Sequence, residues 1–191
     1  MMAGVTGVIP AAGASRRFGS AKLLADLAGE PLLQHTLRAV LDAGLPRVIL
    51  VVAPGHGLDV VPLVRDPRVS IAINPEPERG MFSSIQTGLR HLVTGQAALV
   101  LPADMPFVRA ETVSAVVERS VRDGGAAVAA LHGRRGHPLI IPGTVWPSVL
   151  KQDSGTTLKA ALLELGVSLQ EVPVDDPGVV RDVDVREDLL A

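Results

Sequence analysis

The 191-residue sequence contains no cysteine and no tyrosine, and it has only three phenylalanines and one tryptophan. Without cysteine there is no disulfide, no thiolate nucleophile and no zinc–sulfur centre, and a reducing cytoplasm is the natural compartment. With aromatics at 2% of a chain that is 47% hydrophobic, the core has to be built from Val, Leu, Ile and Ala. That composition suits a parallel sheet covered by helices on both faces. Basic excess is also missing: 18 Lys and Arg stand against 20 Asp and Glu, a formal charge of −2. Nothing in that balance displaces counterions from a nucleic acid, so no nucleic-acid partner is expected. No apolar run approaches the roughly 20 residues needed to cross a bilayer. The N-terminus also lacks the basic region of a signal peptide. The expectation is a soluble cytoplasmic protein with no membrane partner, folded as one domain over residues 1–191, with no linker, repeat or low-complexity tract.

Short runs rich in β-branched residues alternate with helical patterns, the signal of successive βα units. Strands are expected at Gly4–Pro10, Val48–Ala53, Val69–Asn74, Ala97–Pro102, Ala126–Leu131, Pro138–Ile141 and Leu169–Pro173. Pro31–Ala43 reads as a helix with Leu33, Leu37, Val40 and Leu41 on one face, opened by proline and stopped by Gly44. Ser83–Val93 reads as a second, with Ser83 or Ser84 as its cap. Further helices are expected at Ala110–Arg122, Thr156–Leu165 and Arg186–Ala191, and Pro62–Pro67 reads as a turn. The fold class is therefore α/β: a single-domain Rossmann-like sheet, mostly parallel, with helices on both faces. Ligands of such sheets sit at the carboxyl ends of the strands, so the polar motifs should follow strands.

The most informative motif does so. Strand residues Thr6–Pro10 run into Ala11-Ala12-Gly13-Ala14-Ser15-Arg16-Arg17-Phe18-Gly19-Ser20-Ala21-Lys22. Small residues let a backbone approach a ligand and aim N–H groups at anionic oxygens, while Arg16, Arg17 and Lys22 add positive charge. The spacing is not a Walker loop, because five residues separate Gly13 from Gly19 and Lys22 comes three after Gly19. Nor is there a G-x-G-x-x-G dinucleotide fingerprint. After the fourth strand, Pro102-Ala103-Asp104-Met105-Pro106 holds a carboxylate on stiff backbone. Asn74 to Ile85 carries Gly80, Ser83 and Ser84 at the start of a helix, a segment able to hydrogen-bond a base or ribose. Asp182 and Asp184 are two apart and share one face of an extended segment. Alone, Asp104 reads equally as a helix-entry or turn aspartate, 175–188 has a solvated acidic turn as its alternative, and Gly136-His137-Pro138 reads first as a turn with a structural or exposed histidine. The other histidines, His35, His56, His91 and His132, show no metal spacing.

Taken together the motifs resemble a known family. Gly13, Ser15, Arg17, Phe18, Gly19 and Lys22 fill every defined position of the G-x-[SG]-x-R-[MF]-G-x-x-K signature of nucleotidyltransferases that include the molybdenum cofactor cytidylyl- and guanylyltransferases. Asp104-Met105-Pro106 is similar to that family's D-M-P segment, whose aspartate binds Mg²⁺ and contacts the nucleotide. Asn74 to Ser84 resembles the N-P-x-x-x-x-G-[ML]-x-x-S segment of the cytidylyl branch, and Gly136-His137-Pro138 its G-H-P motif near the pterin substrate. Asp182-Val183-Asp184 resembles a D-[IV]-D-T-P-E-D-[LI] ending in which Val185-Arg186 replace Thr-Pro. Asp153-Ser154-Gly155-Thr156-Thr157-Leu158 stands where many relatives have Gly-Asp-x-Gly-Ala-Arg, and it lacks the arginine.

The resemblance covers almost the whole chain and is strongest to the molybdenum cofactor cytidylyltransferases of the MobA-like group. It implies transfer of CMP from CTP to the terminal phosphate of molybdopterin cofactor, with Mg²⁺ as cofactor and a recipient molybdoenzyme as a further partner. It implies Arg17, Lys22 and Asp104 as catalytic residues. Nucleotide would be bound by Ala11, Ala12, Gly13, Ala14, Ser15, Arg17, Lys22, Asn74, Gly80, Ser83, Ser84 and Asp104. The acceptor would be bound by Gly136, His137 and Pro138, and the metal by Asp104 and Asp184. Guanylyl enzymes typically carry Gly-Gly where this chain has Ala12-Gly13, and a methyl beside the base would favour a pyrimidine. Two alternatives stay open: GTP or another phosphorylated acceptor, and a non-catalytic carrier or insertion chaperone for the nucleotide-bearing cofactor.

Overall fold

The computed structural model describes residues 2, 4–13, 18 and 22–189. In chain order its elements are β1 (Val5–Pro10), a short hairpin of β2 (Asp26–Leu27) and β3 (Glu30–Pro31), α1 (Leu32–Asp42), β4 (Val48–Val52), β5 (Val69–Ile73) and α2 (Met81–Leu89). Then follow β6 (Ala97–Val100), α3 (Ala110–Asp123), β7 (Ala126–Leu131), β8 (Arg134–Ile141), α4 (Trp146–Val149), α5 (Leu158–Glu164) and β9 (Leu169–Pro173). Seven strands form one sheet in the order β5-β4-β1-β6-β8-β7-β9. Every adjoining pair is parallel except the two made by β8. This is the mostly parallel α/β sheet that the composition implies.

Strands β1 and β4 are buried at every position, and their period-2 alternation divides the core in two. Val5, Ile9, Val48, Leu50 and Val52 pack on one face with Leu33, Leu37 and Val40 of α1 and Val113, Val116 and Val117 of α3. Val8, Ile49 and Val51 pack on the other with Phe82, Ile85 and Leu89 of α2 and with Val149, Leu158 and Leu162. Each such aliphatic contributes about 1.5–3 kcal/mol by leaving water. Gly88 brings α2 down onto the sheet. A Cβ there would overlap a methyl of Val8 and come within 3.1 Å of Val51.

Several local expectations are corrected. Helix α2 starts at Met81, not Ser83, and neither serine caps it; Ser83 donates instead to the carbonyls of Gly80 (2.7 Å) and Glu76 (3.1 Å). Pro62 lies inside a 3₁₀ segment, Gly55–Leu63, where a turn was expected. Its missing N–H and fixed φ are tolerated in that looser helix. The C-terminal helix is a 3₁₀ turn over Arg186–Leu189. Strand β8 begins four residues earlier than expected, because His132 and Gly133, both at positive φ (48° and 79°), form a tight turn that folds Arg134 back onto Leu131. No helix among the described residues is long and apolar enough to cross a membrane.

Candidate active site

Parallel strands deliver their carboxyl ends to one edge of the sheet. Past that edge the backbone stays paired: Ala11 N–H donates to Val51 O (2.7 Å), Ala103 N–H to Pro10 O (3.1 Å) and Asn74 N–H to Val52 O (2.8 Å). The antiparallel β8 reaches the same edge from the other direction. Its Leu139 is paired with Val100, the last residue of β6, so residues 134–138 project beyond the end of β6. This is why Gly136-His137, which lies in the N-terminal half of its strand, meets motifs that follow theirs.

Two crevices open along this edge. The first, about 210 Å³, is lined by Ala11, Ala12, Gly13, Lys22, Gly80, Ser84 and Asp104, with Pro10, Leu23, Pro77, Met81 and Ala103. The second, about 230 Å³, is lined by Asp104, Asp182, Arg134, Arg135, Gly136 and His137, with Met81, Pro102, Met105, Val179 and Val180. Asp104 and Met81 belong to both walls. Met81, half-exposed at 51%, is turned outward, while its neighbour Phe82 is buried.

At the seam between the crevices Lys22 Nζ donates to Asp104 Oδ2 (2.8 Å) and to Val183 O (2.7 Å), and it lies 3.7 Å from Asp184 Oδ1. The lysine is mostly buried, whereas half of the Asp184 side chain is exposed. Asp104 is rigidly placed. The preceding Ala103 carbonyl accepts from the buried Thr36 hydroxyl (2.9 Å), and Asp104's own carbonyl accepts from Val183 N–H (2.9 Å).

The oxygens of Asp104 and Asp184 thus approach one cationic nitrogen, a donor set of two hard oxygens that suits a divalent cation such as Mg²⁺ completed by water and phosphate oxygens. Among the described residues no group of three or more His, Cys, Asp or Glu could hold a metal by itself, so such an ion would depend on substrate oxygens. The residues therefore fit a substrate-assisted metal site.

Asn74 and Ser83 do not line the crevice. Asn74 is buried behind it, donating from Nδ2 to Ser83 Oγ (2.8 Å) and Ser84 Oγ (3.0 Å) and accepting Glu76 N–H at Oδ1 (3.0 Å). These bonds shape the turn that ends in Gly80, whose φ of +90° demands glycine. Pro138 is buried in β8, outside the lining, after a cis peptide bond to His137. Gly136 is needed for space, since a Cβ there would run into the Val179 carbonyl. Burial holds the His137 imidazole below its ordinary value, against the opposing pull of the Val100 carbonyl, Asp104 and Asp182. Arg135 pairs with Glu171 (2.8 Å). Ala14, Ser15 and Arg17 lie outside the described residues.

The sequence reading gave no role to Thr36, Met81, Val179, Val180 or Asp176. Met81 fills the [ML] position of the Asn74–Ser84 motif and Asp176-Pro177-Gly178 is a turn-forming tripeptide; the others are ordinary core or helix residues by pattern.

Comparison with known proteins agrees with this fold. Rv0371c of Mycobacterium tuberculosis H37Rv superposes with a TM-score of 0.79 over 98% of this chain and 96% of its own, at 23% identity. It has also been solved in complex with manganese. A nucleotidyl transferase from Methanothermobacter, Mth528, gives 0.81 over 97% and 94%, at 25% identity. The 4-diphosphocytidyl-2C-methyl-D-erythritol synthase of Anaerococcus prevotii DSM 20548 shares the fold at 0.78, covering 100% of this chain and 96% of its own, with 15% identity. Among curated sequences, the bifunctional protein GlmU of Paraburkholderia phytofirmans is 32% identical over 178 residues, 90% of this chain. The chain spans little more than a third (38%) of that relative's length. The model of the MobA-like NTP transferase domain matches residues 7–170, the stretch that carries the fold and nearly all the crevice residues, and the chain belongs to that family.

Proposed function

We propose that this nucleotidyltransferase moves CMP from CTP to the terminal phosphate of molybdopterin cofactor, releasing pyrophosphate and forming molybdopterin cytosine dinucleotide. The observation that carries the reading is Asp104, tied to Lys22 and standing in the wall shared by two crevices. A reaction joining two phosphorylated molecules needs one charged seam between two pockets. The nucleotide occupies the crevice of Ala11–Gly13, Gly80 and Ser84. The acceptor occupies that of Gly136, His137 and Arg134, where Met105, Val179 and Val180 offer an apolar surface to a heterocycle.

In this reaction an acceptor phosphate oxygen forms a bond to the α-phosphorus of CTP while the bond to the pyrophosphate oxygen breaks. The attacking oxygen is already anionic, so no general base is required. What the chain supplies is alignment and positive charge. Lys22, with Arg17 of the same loop, neutralises the triphosphate as pyrophosphate departs. Backbone N–H groups of Ala12 and Gly13 approach the phosphates, and the Ala12 methyl limits the pocket to a pyrimidine. Asp104 and Asp184 would hold Mg²⁺, which supplies Lewis-acid stabilisation of the phosphoryl oxygens when bound.

A second reading, another phosphorylated acceptor, is favoured by one feature: the 153–158 segment has no arginine, and Asp153 is instead paired with Arg79 (2.9 Å). Pyrophosphate release with Mg²⁺, comparing CTP and GTP with and without molybdopterin cofactor, tests both. Release requiring CTP and cofactor together is the expected result. Turnover with GTP sinks the Ala12 argument and keeps the transferase. CTP binding without turnover on this acceptor sinks the molybdopterin assignment and points to another acceptor or a carrier.

A further inference from the structure

Residues 176–183 run antiparallel to the loop 104–109 and are fastened to it along their length. At one end the buried Asp176 accepts Arg109 N–H (2.9 Å) and the Thr112 hydroxyl (2.7 Å) at Oδ2, and Gly178 N–H (3.0 Å) at Oδ1. Gly178 then lies flat on the loop, where a Cβ would overlap the Phe107 carbonyl and come within 2.7 Å of Val108 N. The Arg181 guanidinium stacks over the Phe107 ring at 3.8 Å. At the other end Val183 N–H donates to Asp104 O (2.9 Å), and Val183 O accepts from Lys22. The strap's other edge abuts Gly136, which leaves only 3.1 Å between a would-be Cβ and Val180 Cγ1.

A strap held this way has one register against the loop, and that register places Val183 and Asp184 opposite Lys22 and Asp104. The fully buried Val179 and Val183 resist sliding, but apolar contacts are non-directional; the directional anchors are the Val183 bonds at the seam and, at the far end, the Asp176 carboxylate. We propose that Thr112 and Asp176 are positioning residues that set this register, and through it the distance between the Asp104 and Asp184 carboxylates. The proposal rests on the reading above that Lys22, Asp104 and Asp184 form the reactive seam. Neither positioning residue lines either of the two crevices.

The test uses the full chain with Thr112→Val, which removes the hydroxyl at nearly constant volume, and Thr112→Ser, which restores it. Asp176→Asn is the second variant, in case Thr112→Val does not fold. The first readout is amide hydrogen exchange at Val183, with Val8 and Leu50 of the central strands as controls. Loss of a hydrogen bond to a buried carboxylate speeds Val183 exchange roughly tenfold, leaves the controls unchanged, and is reversed by serine. The second readout is Mn²⁺ affinity in the presence of CTP, by water-proton relaxation. An outer residue that orients ligands is worth about 10–100-fold there. Unchanged Val183 exchange in the valine variant overturns the proposal, and so does a uniform rise at all three amides. A wild-type protein that takes up no Mn²⁺ with CTP overturns the metal reading instead, while Val183 exchange still decides the register.

Discussion

Lys22 and Asp104, 82 residues apart in sequence, meet at 2.8 Å on the seam of the two crevices. The lysine's second bond, to the Val183 carbonyl, spans 161 residues. One ammonium therefore ties together the loop after β1, the loop after β6 and the C-terminal strap. Lys22→Met is expected to lower pyrophosphate release by about 100-fold or more. It is also expected to cost about 1–3 kcal/mol, because a partly buried carboxylate and a carbonyl lose their donor. Asp104→Asn should show a similar rate loss. Circular dichroism and steady-state rates check both; near-normal turnover in either variant removes the pair from the mechanism.

Asn74 holds Ser83 and Ser84 from behind the crevice proposed for the nucleotide, so its effect on substrate is indirect. Asn74→Ala removes the donor to the Ser84 hydroxyl and the acceptor of the Glu76 amide, while the Ser83 hydroxyl, which also loses a donor, keeps its bonds to Gly80 and Glu76. The expected cost is about 1–3 kcal/mol of stability. Because Gly80 and Ser84 line the crevice, the KM for CTP should rise more than kcat falls. An unchanged KM with lowered stability would make Asn74 a purely structural residue.

The same asparagine marks where sequence reading stops. Its motif was legible, but a pattern of residue types does not distinguish a side chain that touches ligand from one that shapes the wall. The approach of Asp104 and Asp184 to one point was legible in the motifs their segments resemble, but the ammonium between them was not, because Lys22 read only as a phosphate-binding cation. The direction of β8 was not: His132-Gly133 is a weaker turn signal than Asn-Gly, and Pro138 drew the strand's start too late. The anchor of the strap was out of reach altogether. Thr112 and Asp176 are 64 residues apart, and no local periodicity links a first-turn helix threonine to that carboxylate.

Ala12 is buried and lines the crevice proposed for the nucleotide. Ala12→Gly removes one methyl, worth about 0.8 kcal/mol if fully packed, and enlarges the space beside the base. The expected result is a several-fold shift in kcat/KM toward GTP relative to CTP. An unchanged CTP/GTP ratio would move the choice of base to other residues.

His137 gives the fold a dependence on pH. Burial keeps its imidazole below the ordinary value near 6.5, so the folded protein resists a proton that the unfolded chain accepts. As pH falls through about 6.5 the unfolded state binds more protons, and stability declines until the folded imidazole also titrates. Carboxylates act in a lower window. Asp66, held down by the Arg68 side chain, and Asp188, held down by the Val185 and Asp184 amides, give stability that is present above about pH 4 and lost as they protonate. The two windows separate the histidine from the carboxylates. His137→Asn should therefore flatten the fall in thermal midpoint between pH 7.5 and 5 while leaving the steeper loss below pH 4. Parallel profiles for the two proteins would show that the imidazole titrates freely in the folded chain.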